Sequence, residues 1–103
     1  MTVKKFMCTA LTTVGLSILG SAHSADMIKA KLNYERFCAS CHGFNGMSIT
    51  PGTPNLRMNE GLIQPDFQIV QKLKMGSPKK PPMLGMMTEQ ELQDVVTYAR
   101  TIR

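Results

Sequence analysis

The sequence predicts an all-α fold made of three main helices joined by long loops. Three segments carry apolar residues at helical spacing, and each has a capping residue or a helix breaker at its ends. No segment alternates apolar and polar residues in the manner of a half-buried strand. The segments between the helices are rich in glycine, proline and asparagine, so they are predicted to be loops.

Residues 1–25 have the composition of a cleavable export signal. Lys4 and Lys5 give a positive start, the stretch 6–19 is apolar, and small residues follow it. The apolar run is shorter than the roughly 20 residues that span a bilayer, so contact with the membrane is expected only if the signal stays uncleaved. We therefore expect export to the periplasm.

The sequence allows two positions for the cleaved bond. Ala22 and Ser24 suit the −3 and −1 positions that a signal peptidase recognises, which favours a cut before Ala25. A cut after Ala25 would place His23 at −3, which is a poorer fit. The predicted mature domain is residues 26–103, about 78 residues. A chain this short buries a limited apolar core, so we expect a bound cofactor to supply part of it.

The charge of the chain argues against a nucleic-acid partner. The sequence has 12 basic and 7 acidic residues, a net charge of +5. Loss of Lys4 and Lys5 with the signal leaves 10 basic and 7 acidic residues, a net charge of +3. No helix is predominantly basic, and basic residues do not alternate with aromatic ones, so binding of nucleic acid is not expected.

The predicted first helix spans residues 27–38. Asp26 is a suitable N-cap because its side chain can accept a hydrogen bond from the first helical turn. Leu32, Tyr34 and Phe37 are expected to bring apolar side chains toward the end of this helix.

The predicted second helix spans residues 65–75. Pro65 suits the first turn, Asp66 favours the positive end of the helix, and Gly76 ends it. The apolar stripe that we expect to be buried consists of Phe67, Ile69, Val70 and Leu73.

The predicted last helix begins with a capping box. Thr88 and Glu91 have the Thr-x-x-Glu spacing in which each side chain caps the other residue's backbone. The segment before it, residues 77–87, contains three prolines and is predicted to be an extended loop. The apolar residues of the helix fall on one face and are Leu92, Val95, Val96, Ala99 and Ile102.

The most specific chemical signal is a C-x-x-C-H motif formed by Cys38, Cys41 and His42. Two thiols at this spacing add across the two vinyl groups of a haem, and the following histidine can place an imidazole nitrogen on the iron. The motif therefore predicts one covalently bound haem c, with His42 as an iron ligand.

Two other interpretations of the motif fit the sequence less well. A thioredoxin-like C-x-x-C would follow a strand in a βαβ unit, and no strand is predicted. A structural zinc site needs about four ligands. Apart from carboxylates, the predicted mature chain offers only Cys38, Cys41 and His42.

Beyond the motif, the predicted mature chain resembles the class I cytochrome c family in its short bacterial form, which is also found as a domain of oxidase and dehydrogenase complexes. The resemblance implies a small cytochrome c fold, in which the first and last helices cross over one haem edge. It also implies that a loop before the last helix supplies a methionine as second axial ligand. The matching positions are Tyr34, the motif, Gly43, Gly46, Pro54, Gly76, the loop Pro81-Pro82-Met83 and the helix end from Val95 to Arg100.

The chain departs from the family pattern at that methionine. The family loop often reads Gly-x-x-x-Met-Pro-Pro, and counting from Gly76 places Lys80 at the methionine position. Met83, which directly follows the two prolines, is the predicted sixth ligand. The alternatives are an open or water-bound position, or one of Met86, Met87, Lys80, Met75 and Met58.

The predicted function is one-electron transfer in the periplasm, without catalysis by the chain itself. One alternative is a dedicated electron-outlet subunit of a periplasmic oxidoreductase complex, and a further one is a haem sensor with an open iron site. Redox proteins are the expected partners. The predicted docking patch for an acidic partner consists of Lys72, Lys74, Lys79 and Lys80.

Overall fold

The computed structural model describes Gly15 and residues 24–103. Most of the predicted export signal, residues 1–25, therefore lies outside the described residues. The part of the chain from residue 24 onward forms helices and no strand, which confirms the predicted all-α fold. The elements are α1 (Met27–Phe37), α2 (Ala39–His42), a 3₁₀ turn (Leu56–Met58), α3 (Asp66–Met75) and α4 (Glu89–Thr101). None of these helices is long and apolar enough to cross a membrane.

Local capping sets the starts of α1 and α4. The Asp26 carboxylate accepts a hydrogen bond of 3.0 Å from the backbone N–H of Lys29. The Thr88 hydroxyl accepts a hydrogen bond of 3.1 Å from the backbone N–H of Glu91, which is one of the two bonds of the predicted capping box. The Glu91 carboxylate accepts from the Thr88 hydroxyl, at 3.3 Å, instead of from its backbone N–H. Pro65 precedes α3 instead of lying in its first turn, a difference of one residue at a helix end.

The core is formed where α1 and α3 each pack against α4. The ring of Tyr34 in α1 lies against that of Tyr98 in α4, with centroids 5.4 Å apart and planes tilted by 57°. The largest fully buried side chains are Tyr34, Val70, Leu92 and Val96. Tyr34 and Val96 also line a cavity together with Cys38 and His42 of the C-x-x-C-H motif.

Two apolar side chains that were expected inside face the solvent instead. Leu32 is 60% exposed and Phe67 is 66% exposed. The buried positions of α1 are Ala30 and Tyr34, which lie one turn apart, and Leu32, midway between them, points to the other side of the helix. Phe67 lies two residues before the buried Ile69 and therefore also points away from the packed face of its helix. In both α1 and α3, fewer apolar residues are buried than the apolar pattern of the sequence indicates.

Candidate functional site

The C-x-x-C-H motif forms a single helical turn at a break between two helices. The backbone N–H of Cys38 donates the last hydrogen bond of α1, 2.8 Å to the Tyr34 carbonyl. Its φ of −119° departs from helical geometry, so the chain bends there and α2 begins. The backbone N–H of His42 then donates to the Cys38 carbonyl at 2.9 Å. This turn brings Cys38, Cys41 and His42 to the wall of one cavity.

His42 is held as a neutral imidazole with one nitrogen available. Its side chain is buried, and its Nδ1 lies 2.9 Å from the Pro54 carbonyl oxygen. Because a carbonyl can only accept, Nδ1 carries the hydrogen and Nε2 keeps its lone pair. Burial lowers the pKa of His42, and the charge of Lys80 acts in the same direction against the bond to Pro54. A neutral imidazole is the form that binds iron.

A buried tyrosine fixes the residue after the histidine. The Tyr34 hydroxyl donates a hydrogen bond of 2.7 Å to the Gly43 carbonyl. Burial raises the pKa of Tyr34 to about 12, so the hydroxyl keeps its hydrogen at neutral pH. This contact was not predicted from the sequence. The four-residue spacing between Tyr34 and Cys38 on one helix is the signal that could have indicated it.

Both cysteines of the motif are free and half-buried. Burial raises the pKa of the Cys38 thiol to about 11, against the opposing charge of Lys80. The thiol is therefore protonated at neutral pH and a poor nucleophile in the folded chain. Within the described residues, no group of three or more His, Cys, Asp and Glu side chains is placed to hold a metal ion.

The cavity suits a large apolar group that is bound through sulfur and nitrogen. Its volume is about 350 Å³, and a second cavity of about 80 Å³ adjoins it. The residues that line both are Cys38, His42, Pro54, Leu73, Lys80 and Val95. Two thiols, an imidazole and mainly apolar walls are the donor set and the surroundings that a c-type haem requires, so the residues present fit that group.

The loop after α3 brings two methionines to the same cavity. Met83 and Met87 are each 6% exposed and line it, whereas Met86 is 58% exposed and does not. The backbone N–H of Met83 donates to the Leu73 carbonyl at 2.8 Å, which ties the loop to the last turn of α3. Lys80 also lines the cavity. The more remote methionines, Met58 and Met75, are exposed.

The four lysines of the predicted docking patch have different surroundings. Lys74 forms an ion pair of 2.6 Å with Glu89, which joins α3 to α4 and offsets its charge. Lys72 donates to the Gln64 side chain at 2.7 Å. Lys79 is exposed and Lys80 is half-buried, and both contribute to the cavity wall. A docking surface near the cavity would therefore depend more on Lys79 than on Lys74.

Comparison with known proteins agrees with this site. Residues 25–98 match the model of the family described as cytochrome c oxidase, cbb3-type, subunit III. No curated protein matches the chain significantly. Members of this family bind covalently attached c-type haem, which gives the chain a haem-based role in electron transfer. The chain belongs to the cbb3-type cytochrome c oxidase subunit III family of c-type cytochromes.

Proposed function

We propose that this chain carries single electrons in the periplasm through one haem c. Cys38 and Cys41 would attach the haem, and His42 and Met83 would be its axial ligands. The observation that carries the proposal is that these four side chains line one cavity. When bound, the haem supplies an iron that alternates between Fe(II) and Fe(III). With both axial positions taken by the protein, no substrate would bind the iron, so the chain itself would not be an enzyme.

The proposed role of His42 is that of a ligand with a fixed orientation. Its ring is held by the bond from Nδ1 to Pro54, and the backbone beside it is held by the bond from Tyr34 to Gly43. A partner on the far ring nitrogen sets the tautomer and the orientation of a ligating histidine. These contacts would keep the imidazole in place when the charge of the iron changes.

The proposed role of Met83 is that of a neutral, soft ligand. A thioether suits both iron oxidation states, and together with burial it favours the reduced state and raises the potential. The two prolines before Met83 restrict the backbone, and its N–H is tied to Leu73. Lys80 could bind only after losing the proton that lysine normally holds at neutral pH. Met87 is the stronger alternative because it is as buried as Met83.

A second function is favoured by the family description, which names an oxidase subunit. In this alternative the chain would serve as the fixed electron-transfer subunit of a periplasmic oxidoreductase complex. Size-exclusion chromatography of the natively expressed, exported protein separates the two functions. A free carrier would elute at the size of one small domain, whereas a subunit would elute with its partners.

The attachment of haem can be tested directly. Protein exported from a host that has haem-maturation machinery should keep its haem through acid–acetone extraction and denaturing electrophoresis. Replacement of Cys38→Ala together with Cys41→Ala should abolish this retention, because no thioether bond could form. Haem that is extracted freely from the unsubstituted protein would contradict the proposal.

The sixth ligand can be tested by spectroscopy of the oxidised protein. Methionine ligation gives a weak near-infrared sulfur-to-iron band, which Met83→Ala should remove at neutral pH. Met86→Ala is the matched control, since this exposed neighbour should leave the band unchanged. A band that is lost in Met87→Ala but kept in Met83→Ala would assign the other buried methionine. Absence of the band, with a spectrum altered by Lys80→Ala, would indicate lysine ligation.

A further inference from the structure

We propose that Glu60 is a positioning residue for His42. The Glu60 carboxylate polarises the peptide group between Pro54 and Asn55, and this strengthens the hydrogen bond that the imidazole donates to the same peptide. The inference rests on the proposed function, because it requires His42 to be an iron ligand.

One peptide group joins the two side chains. Its carbonyl oxygen, which belongs to Pro54, lies 2.9 Å from Nδ1 of His42. Its N–H, which belongs to Asn55, donates a hydrogen bond of 2.7 Å to Oε2 of Glu60. The imidazole therefore donates to one end of the peptide, and the other end donates to a carboxylate. Because amide resonance couples the two ends, an anion at the N–H makes the oxygen a stronger acceptor.

The backbone places Glu60 beside this peptide without help from its side chain. The backbone N–H groups of Met58 and Glu60 each donate to the Asn55 carbonyl at 3.1 Å, which closes the turn between them. A Cβ added at Gly61 would lie 3.4 Å from Cβ of Pro54, so the chain after Glu60 runs alongside Pro54. Since backbone bonds already close the turn, the carboxylate is not needed to close it. What it adds is a negative charge at the Asn55 N–H.

The hydrogen-bonded route matters more than the direct field of this carboxylate. Glu60 is exposed and lines neither of the two cavities that the motif faces. Water and salt screen an exposed charge over such distances. The peptide, in contrast, contacts both the carboxylate and the imidazole, and a hydrogen bond to an ionised acceptor is roughly twice as strong as one between neutral groups.

The consequence is a lower reduction potential. A stronger acceptor at Nδ1 of His42 raises the basicity of Nε2, the nitrogen left for the iron. A more basic ligand stabilises Fe(III) more than Fe(II), and hydrogen bonding around the ligands is one of the means by which a protein sets the potential. Glu60 therefore lowers the potential, whereas the proposed thioether ligand, Met83, raises it.

Redox titration of the haem-loaded protein tests the proposal. Glu60→Gln keeps an acceptor of nearly the same shape and removes its charge. We expect it to shift the equilibrium about threefold toward Fe(II), which is about 28 mV at about 59 mV per tenfold change. Glu35→Gln is the matched control, since it removes the same charge from a carboxylate that pairs with Lys31 at 3.9 Å.

Salt separates the peptide route from a direct field. At about 1 M salt the Debye length is about 3 Å, so the effect of Glu35→Gln should vanish and that of Glu60→Gln should persist. A shift in Glu60→Gln that is no larger than the control's, or that disappears at high salt, would overturn the proposal.

A second measurement follows the hydrogen bond itself. In NMR spectra of the reduced protein, the Nδ1–H proton of His42 should move upfield in Glu60→Gln, because its bond to Pro54 is weaker, and stay in place in Glu35→Gln. If Glu60→Gln lowers stability and leaves this resonance unmoved, the role of Glu60 is structural and the inference fails alone. Haem that is lost from the unsubstituted protein in denaturing electrophoresis would overturn the proposed function and this inference together.

Discussion

Replacement of Gly76 tests how the loop that carries Met83 is held against α3. Gly76 follows α3 with φ 70° and ψ −174°, a region that is essentially restricted to glycine. A Cβ added there would lie 2.6 Å from the Pro82 nitrogen and 2.8 Å from the Lys80 carbonyl oxygen. Both are backbone atoms of the segment that leads to Met83, so they cannot rotate away from the new methyl group.

The cost of Gly76→Ala has two parts. Backbone strain costs about 1–3 kcal/mol, and forcing a methyl group into filled space costs about 1–3 kcal/mol more. The hydrogen bond from Met83 to Leu73 holds the loop by only about 1 kcal/mol. We therefore expect the loop to move and relieve the overlap, leaving about 2 kcal/mol of strain. For a domain of this size that lowers the melting temperature by roughly 8–16 °C.

The assay combines thermal melting with the near-infrared band of the oxidised protein. Gly85→Ala is the matched control, since Gly85 also has a positive φ, 86°, but nothing lies within 4 Å of an added Cβ. The control should lose stability through strain alone and keep the band. Gly76→Ala should lose much of the band because Met83 would be displaced. If the two variants melt alike and both keep the full band, the steric argument is wrong.

Three further predictions concern the frame, alkaline pH and docking. Arg100→Leu should lower the free energy of unfolding by about 2 kcal/mol. The reason is that Arg100 donates to the Leu62 and Gln64 carbonyls at 2.8 Å each and pairs with Asp66. Unchanged denaturant unfolding curves would contradict this prediction. Because burial raises the pKa of Tyr34 to about 12, the unfolded state loses this proton first as pH rises through about 10. Stability should therefore fall between about pH 10 and 12, and a Tyr34→Phe variant with an equally steep fall would refute this cause. Lys79→Ala should slow electron transfer to an acidic partner at low salt more than Lys74→Ala, whose charge Glu89 offsets; stopped-flow rates equal for the two variants would argue against it.

The parts of the fold that depend on neighbouring residues were predictable from the sequence. The caps at Asp26 and Thr88 are local, since each side chain bonds to a backbone group three residues later. The exposure of Leu32 and Phe67 was not predictable, because the face that a helix buries is chosen by its packing partner. The apolar pattern predicted more buried positions in α1 and α3 than are buried where these helices pack against α4.

In the candidate site, too, the features set by local spacing were predictable from the sequence, and the features set by distant contacts were not. The motif places two thiols and an imidazole on one helical turn, and this follows from spacing alone. The bonds that orient the imidazole depend on the bend at Cys38 and on the return of the chain at Pro54. The residues of the motif predict neither the bend at Cys38 nor the approach of Pro54. The hydrogen-bond partner of His42 could therefore be identified only from the folded structure.

The loop between α3 and α4 departs from the family's pattern at Lys80 and still brings a methionine, Met83, to the cavity. Ser77 and Lys80 exchange two backbone hydrogen bonds, of 2.8 and 3.0 Å, and so form a tight turn directly after Gly76. After this turn, Pro81 and Pro82 lead to Met83, whose backbone N–H returns the chain to α3 by donating to the Leu73 carbonyl. Lys80, at the base of the turn, reaches the same cavity as Met83. Of the two, only the thioether of Met83 can bind iron without first giving up a proton, and this difference is the physical basis for proposing Met83 over Lys80.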